Sequence, residues 1–192
     1  VNINSDLFKR FVILGEYEKE ITFLLKKYIK PQFDVLDIGA NIGFFSVFSS
    51  KLVNEKCKVL AVEPTPGCLT LFKENIKKNN CKNVLIFEGV ASDLETIRSI
   101  NLIPGNEEYS SLGELNNIDL DQNTLGKVVS LDVVSKTIDS LVLENNLNVG
   151  FIKMDIEGAE FLALKGAENT INNYHPTFLL EVVDNFSSRF NY

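Results

Sequence analysis

The chain has 192 residues, of which 45% are hydrophobic and 23% charged, and its formal net charge is −7. This length and balance are typical of one ordinary globular domain and exclude a disordered or fibrous protein. The chain has 26 acidic and 19 basic residues. This balance disfavours sequence-independent binding of nucleic acid, which requires several phosphates to be neutralised at once. We therefore expect a single domain over residues 1–192 that binds no nucleic acid.

The sequence predicts neither a membrane span nor a metal site built on cysteine or histidine. No apolar run reaches the ~18–20 residues that a span needs, and no signal-peptide pattern opens the chain. Cys57, Cys68 and Cys81 match no zinc-module spacing, and His175 is the only histidine. We expect reduced, structural cysteines, a cytoplasmic location and no bound metal.

Short apolar runs alternate with helical segments along the chain. The runs, predicted to be strands, are Val35–Ile38, Val59–Val62, Val84–Phe87, Phe151–Met154 and Thr177–Val183. They scarcely alternate in polarity, which is typical of strands buried on both faces of a parallel sheet. The predicted helices are Tyr17–Lys30, Phe44–Val53, Gly67–Asn79, Ile138–Asn145 and Ala159–Asn172. This order predicts an α/β fold with a doubly wound, mostly parallel sheet, preceded by a helical lead-in over residues 1–31.

Two stretches interrupt the alternation of strands and helices. Residues 102–127 are rich in Asn, Asp, Glu and Gly and show no period, so we expect an irregular insertion there. An extra strand is predicted directly after it, over Val128–Val134. The chain stops about nine residues after Thr177–Val183, so we expect the closing hairpin of the sheet to be missing.

The segment from Asp37 to Gly43 reads Asp-Ile-Gly-Ala-Asn-Ile-Gly and carries the most chemical information. It leads from a buried strand through a glycine turn into a helix. Because Gly39 and Gly43 have no Cβ, the turn can take conformations closed to other residues, and a ligand can approach its backbone. The helix N-terminus favours an anion, and Asp37 offers an acceptor to a cationic group. The glycine spacing differs from that of dinucleotide-binding and phosphate-binding loops.

Glu63 ends the second predicted strand, 26 residues after Asp37. In doubly wound folds that bind nucleosides, an acidic residue at this place accepts hydrogen bonds from the ribose hydroxyls. Coming after the glycine turn, Glu63 therefore predicts a nucleoside-binding site at this edge of the sheet.

Five motifs in this order resemble the FkbM family of S-adenosylmethionine-dependent methyltransferases. They are Asp37–Gly43, Glu63-Pro64, Val90–Asp93, Thr137–Ser140 and Ile152–Glu160. The likeness spans roughly residues 17–183. It implies a Rossmann-like class I methyltransferase fold, S-adenosylmethionine as the methyl donor, and usually O-methylation of a hydroxyl on a sugar or other secondary metabolite.

The resemblance also implies a role for each motif residue. The methionyl part of the cofactor would be surrounded by Asp37, Gly39, Asn41 and Gly43. Glu63 would hold the ribose diol, and the adenine would be bordered by Val90, Ala91 and Ser92. Tyr17 and Glu18 resemble a family position that can fold over the cofactor.

The acceptor side is predicted at the end of the fourth strand, opposite the glycine turn. Methyl transfer is an in-line displacement, so the enzyme positions the acceptor and takes up its proton. We expect Asp155 or Glu157 to be the catalytic base, and Lys153 to lie on the other face of the strand, paired with an acidic neighbour. Ser110 and Ser111, in the irregular segment, resemble a serine pair that binds the acceptor.

Two alternatives remain open from the sequence. Catechol-type O-methyltransferases hold Mg²⁺ with an Asp after their fourth strand and an Asp-Asn pair after their fifth, and here Asp155 is followed by Asp184 and Asn185. The alternative from another class is a catalytically inactive binding module with the same cofactor fold. For the enzyme, the expected partner is a small-molecule or glycan acceptor.

Overall fold

The structure, a computed structural model, describes residues 18–102 and 128–181. The strands are β1 Asp34–Ile38, β2 Val59–Val62, β3 Val84–Phe87, β4 Val90–Ala91, β5 Thr96–Leu102, β6 Val129–Lys136, β7 Val149–Met154 and β8 Thr177–Leu180. The helices are α1 Lys19–Tyr28, α2 Phe44–Leu52, α3 Pro66–Lys78, α4 Ile138–Asn145, α5 Glu160–Lys165 and α6 Glu168–Tyr174.

The main sheet has the strand order β3-β2-β1-β7-β8, and all its strands run parallel. The chain therefore builds one half of the sheet outward from β1 and then returns to build the other half from β7. In-register pairing makes all five strands end at the same level, at Phe87, Val62, Ile38, Met154 and Leu180. A parallel sheet binds ligands at this carboxyl edge, where the strand order reverses.

Helices cover both faces of the main sheet. One face packs Leu36, Ile38 and Met154 against α4 and α5. The other face packs Val35 and Phe151 against α1 and α2. Burial on both faces explains why the strands carry near-continuous apolar runs, and the predicted α/β fold with a mostly parallel sheet is confirmed.

A smaller sheet of β4, β6 and β5 extends the fold beyond the prediction. The extra strand predicted over Val128–Val134 is present as β6 and runs on to Lys136. Its partner β5, which pairs with it in the antiparallel sense, was not predicted from the sequence. Residues 103–127 of the expected insertion, and the end of the chain where a closing hairpin is expected to be missing, lie outside the described residues.

The helix predicted over Ala159–Asn172 is two helices, because the chain is interrupted at Gly166. A Cβ at Gly166 would lie 2.1 Å from the carbonyl oxygen of Ser92, so only glycine permits this close contact. The carbonyl of Gly166 accepts a hydrogen bond from the Asp139 N–H at 2.9 Å, and the Asp139 carboxylate accepts bonds from the first turn of α6. The start of the second helix is therefore hydrogen-bonded to α4.

The three cysteines are free thiols, as expected. Within the two described ranges, no helix is both long and apolar enough to cross a membrane.

Candidate active site

The turn after β1 brings the chain against both neighbouring strands. The N–H groups of Gly39 and Ala40 both donate to the carbonyl of Val62, at 3.0 Å each. On the other side, a Cβ at Gly39 would lie 1.8 Å from the carbonyl oxygen of Asp155, and the φ of Gly39 is +79°. Glycine is therefore required here so that the ends of β1 and β7 can close on each other.

A second packing contact explains why residue 43 is a glycine. Its φ is +80°, and a Cβ would lie 1.9 Å from the ring of Phe72 on α3. Between the two glycines, Asn41 also takes a positive φ of 53°, and its side-chain oxygen accepts the N–H of Ile42 at 2.7 Å. The sequence predicted backbone exposure to a ligand, whereas the structure gives each glycine a protein contact that explains it.

Glu63, at the end of β2, is 5% exposed and bound by its own chain. Its Oε1 accepts the N–H of Thr65 at 2.9 Å and the hydroxyl at 2.6 Å, and Oε2 accepts the N–H of Asn41 at 2.8 Å. Burial raises the pKa of Glu63 above its ordinary value, and these hydrogen bonds offset part of the rise. A carboxylate offers about four acceptor positions, so about one remains, on Oε2.

Asp37 is the deepest carboxylate of the site, at 1% exposure. Its Oδ2 accepts the hydroxyl of Ser46, on α2, at 2.6 Å. Its Oδ1 accepts no hydrogen bond from any of the described residues and lies 3.6 Å from the ammonium of Lys153. One buried acceptor atom is therefore left with an electrostatic partner only.

Lys153 lies between two acidic residues in the middle of the sheet edge. Its ammonium is 3.4 Å from Asp155 Oδ2 and 3.5 Å from the Gly39 carbonyl, and it lies over the ring of Phe45 at 5.0 Å. Burial acts to lower the pKa of Lys153, but the charges of Asp37 and Asp155 outweigh it and the pKa is raised. The predicted pairing with an acidic neighbour is confirmed. The predicted opposite face is wrong, because residues two apart in a strand share a face.

The hydrogen bonds between parallel strands of the main sheet continue one residue beyond β7 and β8, to Asp155 and Glu181. The N–H of Asp155 donates to the carbonyl of Ile38, and the N–H of Glu181 donates to that of Met154, at 3.0 Å each. Their side chains are hydrogen-bonded to each other, and the Asp155 side chain is 34% exposed. Burial acts to raise the pKa of Asp155, yet Lys153 and the bond from Glu181 bring it below its ordinary value.

The pKa of Glu181 is raised to about 8, first by its hydrogen bond to Asp155 and then by burial and the charges of Asp155, Glu157 and Glu18. Glu157, the second predicted catalytic residue, is half-buried in a turn where its φ is +56°. Glu160 Oε1 secures that turn by accepting the N–H groups of Ile156 and Gly158, at 3.0 and 3.3 Å. The structure thus brings Asp155, Glu157 and Glu181 together, and places Glu18 close enough to act on the same group.

The predicted adenine border lies inside the protein. Val90 packs in the core of the smaller sheet, and Ala91 packs in the main core. Ser92 is fully buried and donates its N–H to the carbonyl of Lys136 at 2.9 Å. The turn touches the site through Gly89, whose N–H donates to the carbonyl of Glu63 at 3.2 Å. These contacts give the segment a packing role, and its part in binding adenine stays a prediction.

The remaining predicted site residues, Tyr17, Ser110, Ser111, Asp184 and Asn185, lie outside the described residues. Sequence reasoning missed the contact between Glu181 and Asp155, although both residues directly follow apolar strands. The contact could have been predicted, because each residue comes one position after the end of its strand. Residues at the same distance from the ends of neighbouring parallel strands lie side by side.

Comparison with known proteins finds similarity to methyltransferases. A sequence model of the Methyltransferase FkbM domain matches residues 37–191. The chain is 28% identical over 156 residues to Methyltransferase sdnD of Sordaria araneosa, covering 70% of this chain and 60% of that protein. It is 36% identical over 80 residues to Ribosomal protein L11 methyltransferase of Acetivibrio thermocellus, covering 42% of this chain and 25% of that one. The chain therefore spans less than two thirds of the length of either relative.

A solved structure shares the fold. The crystal structure of Methyltransferase FkbM from Methylobacillus flagellatus matches with a TM-score of 0.55 and 19% sequence identity, covering 79% of this chain and 33% of that one. The architecture is thus the Rossmann-like class I methyltransferase fold that the sequence predicted. S-adenosylmethionine is the cofactor of the family. Since the family model covers most of the chain, including the glycine turn, Glu63 and Asp155, the chain belongs to the FkbM family of methyltransferases.

Proposed function

We propose that this chain acts as a single methyltransferase domain that transfers the methyl group of S-adenosylmethionine to a hydroxyl of a small molecule or glycan, such as a sugar or other secondary metabolite. The observation that carries this proposal is the division of the sheet edge at β1. On one side lie the buried acceptors Asp37 and Glu63, and on the other lies the half-exposed carboxyl pair of Asp155 and Glu181.

The residues on the β1–β2 side suit the groups that the cofactor presents. S-adenosylmethionine supplies an activated methyl group, and its ammonium and ribose hydroxyls are hydrogen-bond donors. Asp37 Oδ1 is a buried acceptor without a hydrogen bond from the described residues, which suits a cationic donor. Glu63 Oε2 keeps one acceptor position for a ribose hydroxyl, so one hydrogen bond to the diol fits this geometry better than the predicted two.

The residues on the β7–β8 side suit a hydroxyl acceptor. An alcohol becomes a good nucleophile when a carboxylate takes its proton as the new bond forms, and such a group typically contributes about 10²–10⁴-fold to the rate. Asp155, Glu157 and Glu181 present carboxyl groups at the end of the strands adjacent to the glycine turn. We therefore expect replacement of the carboxyl group that takes this proton by an amide to leave cofactor binding unchanged and to lower turnover at least ~10²-fold.

Cofactor binding is tested by calorimetry and thermal unfolding with S-adenosylhomocysteine. A ligand that binds only the native state stabilises it by about 2.7 kcal/mol at a hundred times its Kd, so the melting temperature rises. NAD serves as the control nucleotide and leaves the melting temperature unchanged. Binding of NAD without any response to S-adenosylhomocysteine would contradict the proposal.

Catalysis is tested separately by mass spectrometry, as the gain of one methyl group across a panel of sugars and hydroxylated metabolites. A chain that binds S-adenosylhomocysteine and methylates none of them fits the inactive binding module. Loss of wild-type activity in EDTA and its return with Mg²⁺ would support the magnesium alternative through Asp155, Asp184 and Asn185.

A further inference from the structure

The carboxyl groups of Asp155 and Glu181 lie next to each other, directly beyond the ends of β7 and β8. Asp155 and Glu181 occupy the same level of the parallel ladder, one residue past the register partners Met154 and Leu180. Neighbouring strands lie about 4.8 Å apart, and side chains at one level point to the same face. An ionised carboxylate only accepts hydrogen bonds, so two carboxyl groups can bond to each other only when one is protonated.

The surroundings decide which partner keeps the proton. Lys153, itself buried, lies 3.4 Å from Asp155 Oδ2 and favours the ionised form of Asp155. Glu181 lies at the surface, where Asp155, Glu157 and Glu18 all disfavour its ionised form. The pKa of Asp155 is accordingly lowered and that of Glu181 is raised to about 8. The proton therefore belongs to Glu181, and Asp155 receives the hydrogen bond.

This asymmetry makes Asp155 a poor base. One of its oxygens faces the ammonium of Lys153, and the side chain already accepts a hydrogen bond from Glu181. Glu181 is more exposed, and its pKa of about 8 is closer to neutral pH than that of an ordinary carboxyl group, which favours efficient proton transfer.

We propose that Glu181 is the catalytic residue that receives the acceptor's hydroxyl proton, while Asp155, held by Lys153, is a positioning residue that orients Glu181 and makes it basic. This inference rests on the proposed function. The acceptor oxygen loses its proton to the ionised carboxylate of Glu181 and shares the freed electron pair with the methyl carbon. The pair of the broken carbon–sulfur bond stays on sulfur, and Glu181 ends protonated and hydrogen-bonded to Asp155.

The protonation of Glu181 is measured without cofactor or acceptor, by carboxyl carbon-13 NMR of the glutamate-labelled protein. Loss of one resonance in Glu181→Gln identifies the signal. We expect its titration midpoint at about 8 in the wild type and clearly lower, though still above the ordinary ~4.3, in Asp155→Asn, where the charge of Asp155 is gone while burial, Glu157 and Glu18 still raise the pKa. A wild-type midpoint near 4.3 would overturn the inference.

The catalytic role is measured in the same variants. Glu181→Gln should lose about 10²-fold or more in kcat while binding S-adenosylhomocysteine as the wild type does. The kcat of the wild type should rise with pH to a plateau above about 8, and Asp155→Asn should shift this rise to lower pH. Glu168→Gln, an exposed position on α6, is the matched control and should change neither quantity.

The outcomes separate this inference from the proposed function. A wild type that methylates acceptors, together with a fully active Glu181→Gln, would overturn the role of Glu181 alone. A wild type that neither binds S-adenosylhomocysteine nor methylates any acceptor would overturn both.

Discussion

The carboxylates on the two halves of the sheet edge differ in their burial and in their hydrogen-bond partners. On the β1–β2 side, Asp37 and Glu63 are almost fully buried, and fixed donors of the chain itself bind three of their four oxygens. On the β7–β8 side, Asp155 and Glu181 are partly open to solvent and bond mainly to each other. Fixed donors suit the binding of one constant ligand, whereas a shared proton suits a chemical step. The surroundings thus suit the same residue types to ligand binding on one side and to proton transfer on the other.

Lys153 joins the two halves, and its removal should have the largest effect. Lys153→Met leaves Asp37 buried without a counter-charge, so we expect a loss of about 4 kcal/mol in the free energy of unfolding. Chemical denaturation measures this loss, and adding Asp37→Asn should recover part of it. The exposed control Lys82→Met should stay within about 0.5 kcal/mol of the wild type. Equal stability of Lys153→Met and Lys82→Met would show that the buried ion pair has no role in the fold.

Glu63→Ala should affect the β1–β2 side alone. Removal of its carboxylate leaves donors of Thr65 and Asn41 without their acceptor, which should cost about 2 kcal/mol of stability. The affinity for S-adenosylhomocysteine should also fall at least ~10-fold, because a hydrogen bond to a charged acceptor contributes about 1.5–3 kcal/mol. Denaturation and calorimetry measure the two losses. Glu88→Ala, an exposed residue paired with Lys73, is the control, and an unchanged affinity in Glu63→Ala would remove Glu63 from the cofactor site.

The effect of Glu181→Gln on stability should depend on pH. Because the folded pKa of Glu181 is above its unfolded value, the fold favours the protonated carboxyl, and this stabilisation is lost as pH rises from about 4.5 through about 8. The variant, which is always neutral, should therefore melt at the wild-type temperature at low pH and above it at alkaline pH. A difference in melting temperature that is the same across this range would argue against a shared proton.

Much of this arrangement could be predicted from the sequence because it depends on strand order and strand ends. Asp37 is the last residue but one of the first strand and Glu63 directly follows the second, so their positions at the carboxyl edge follow from a parallel sheet. Strand β5 could not be predicted in this way, since its sequence Thr-Ile-Arg-Ser-Ile-Asn-Leu spaces its apolar residues three and then two apart, which fits neither a regular alternation nor a continuous apolar run. Its formation depends on pairing with β6, a partner distant in sequence.

Two further features depend on tertiary contacts that no local pattern encodes. Gly166 divides a segment of good helical periodicity because its Cα packs on the carbonyl of Ser92. The segment Val90–Ser92 follows the third strand, as a turn that lines a cofactor would. The side chains of Val90 and Ala91, however, are buried in the cores of the smaller and the main sheet. Glu181 could be placed at the edge from sequence, whereas its proton depends on the charges around it.

The contact between Gly39 and the carbonyl of Asp155 has a consequence for how the site can evolve. Main-chain atoms join the cofactor turn to Asp155, so any residue other than glycine at position 39 would push the ends of β1 and β7 apart. The proposed geometry of the chemical step therefore depends on the pairing of β1 with β7. We therefore expect differences in acceptor preference to arise in segments beyond this junction.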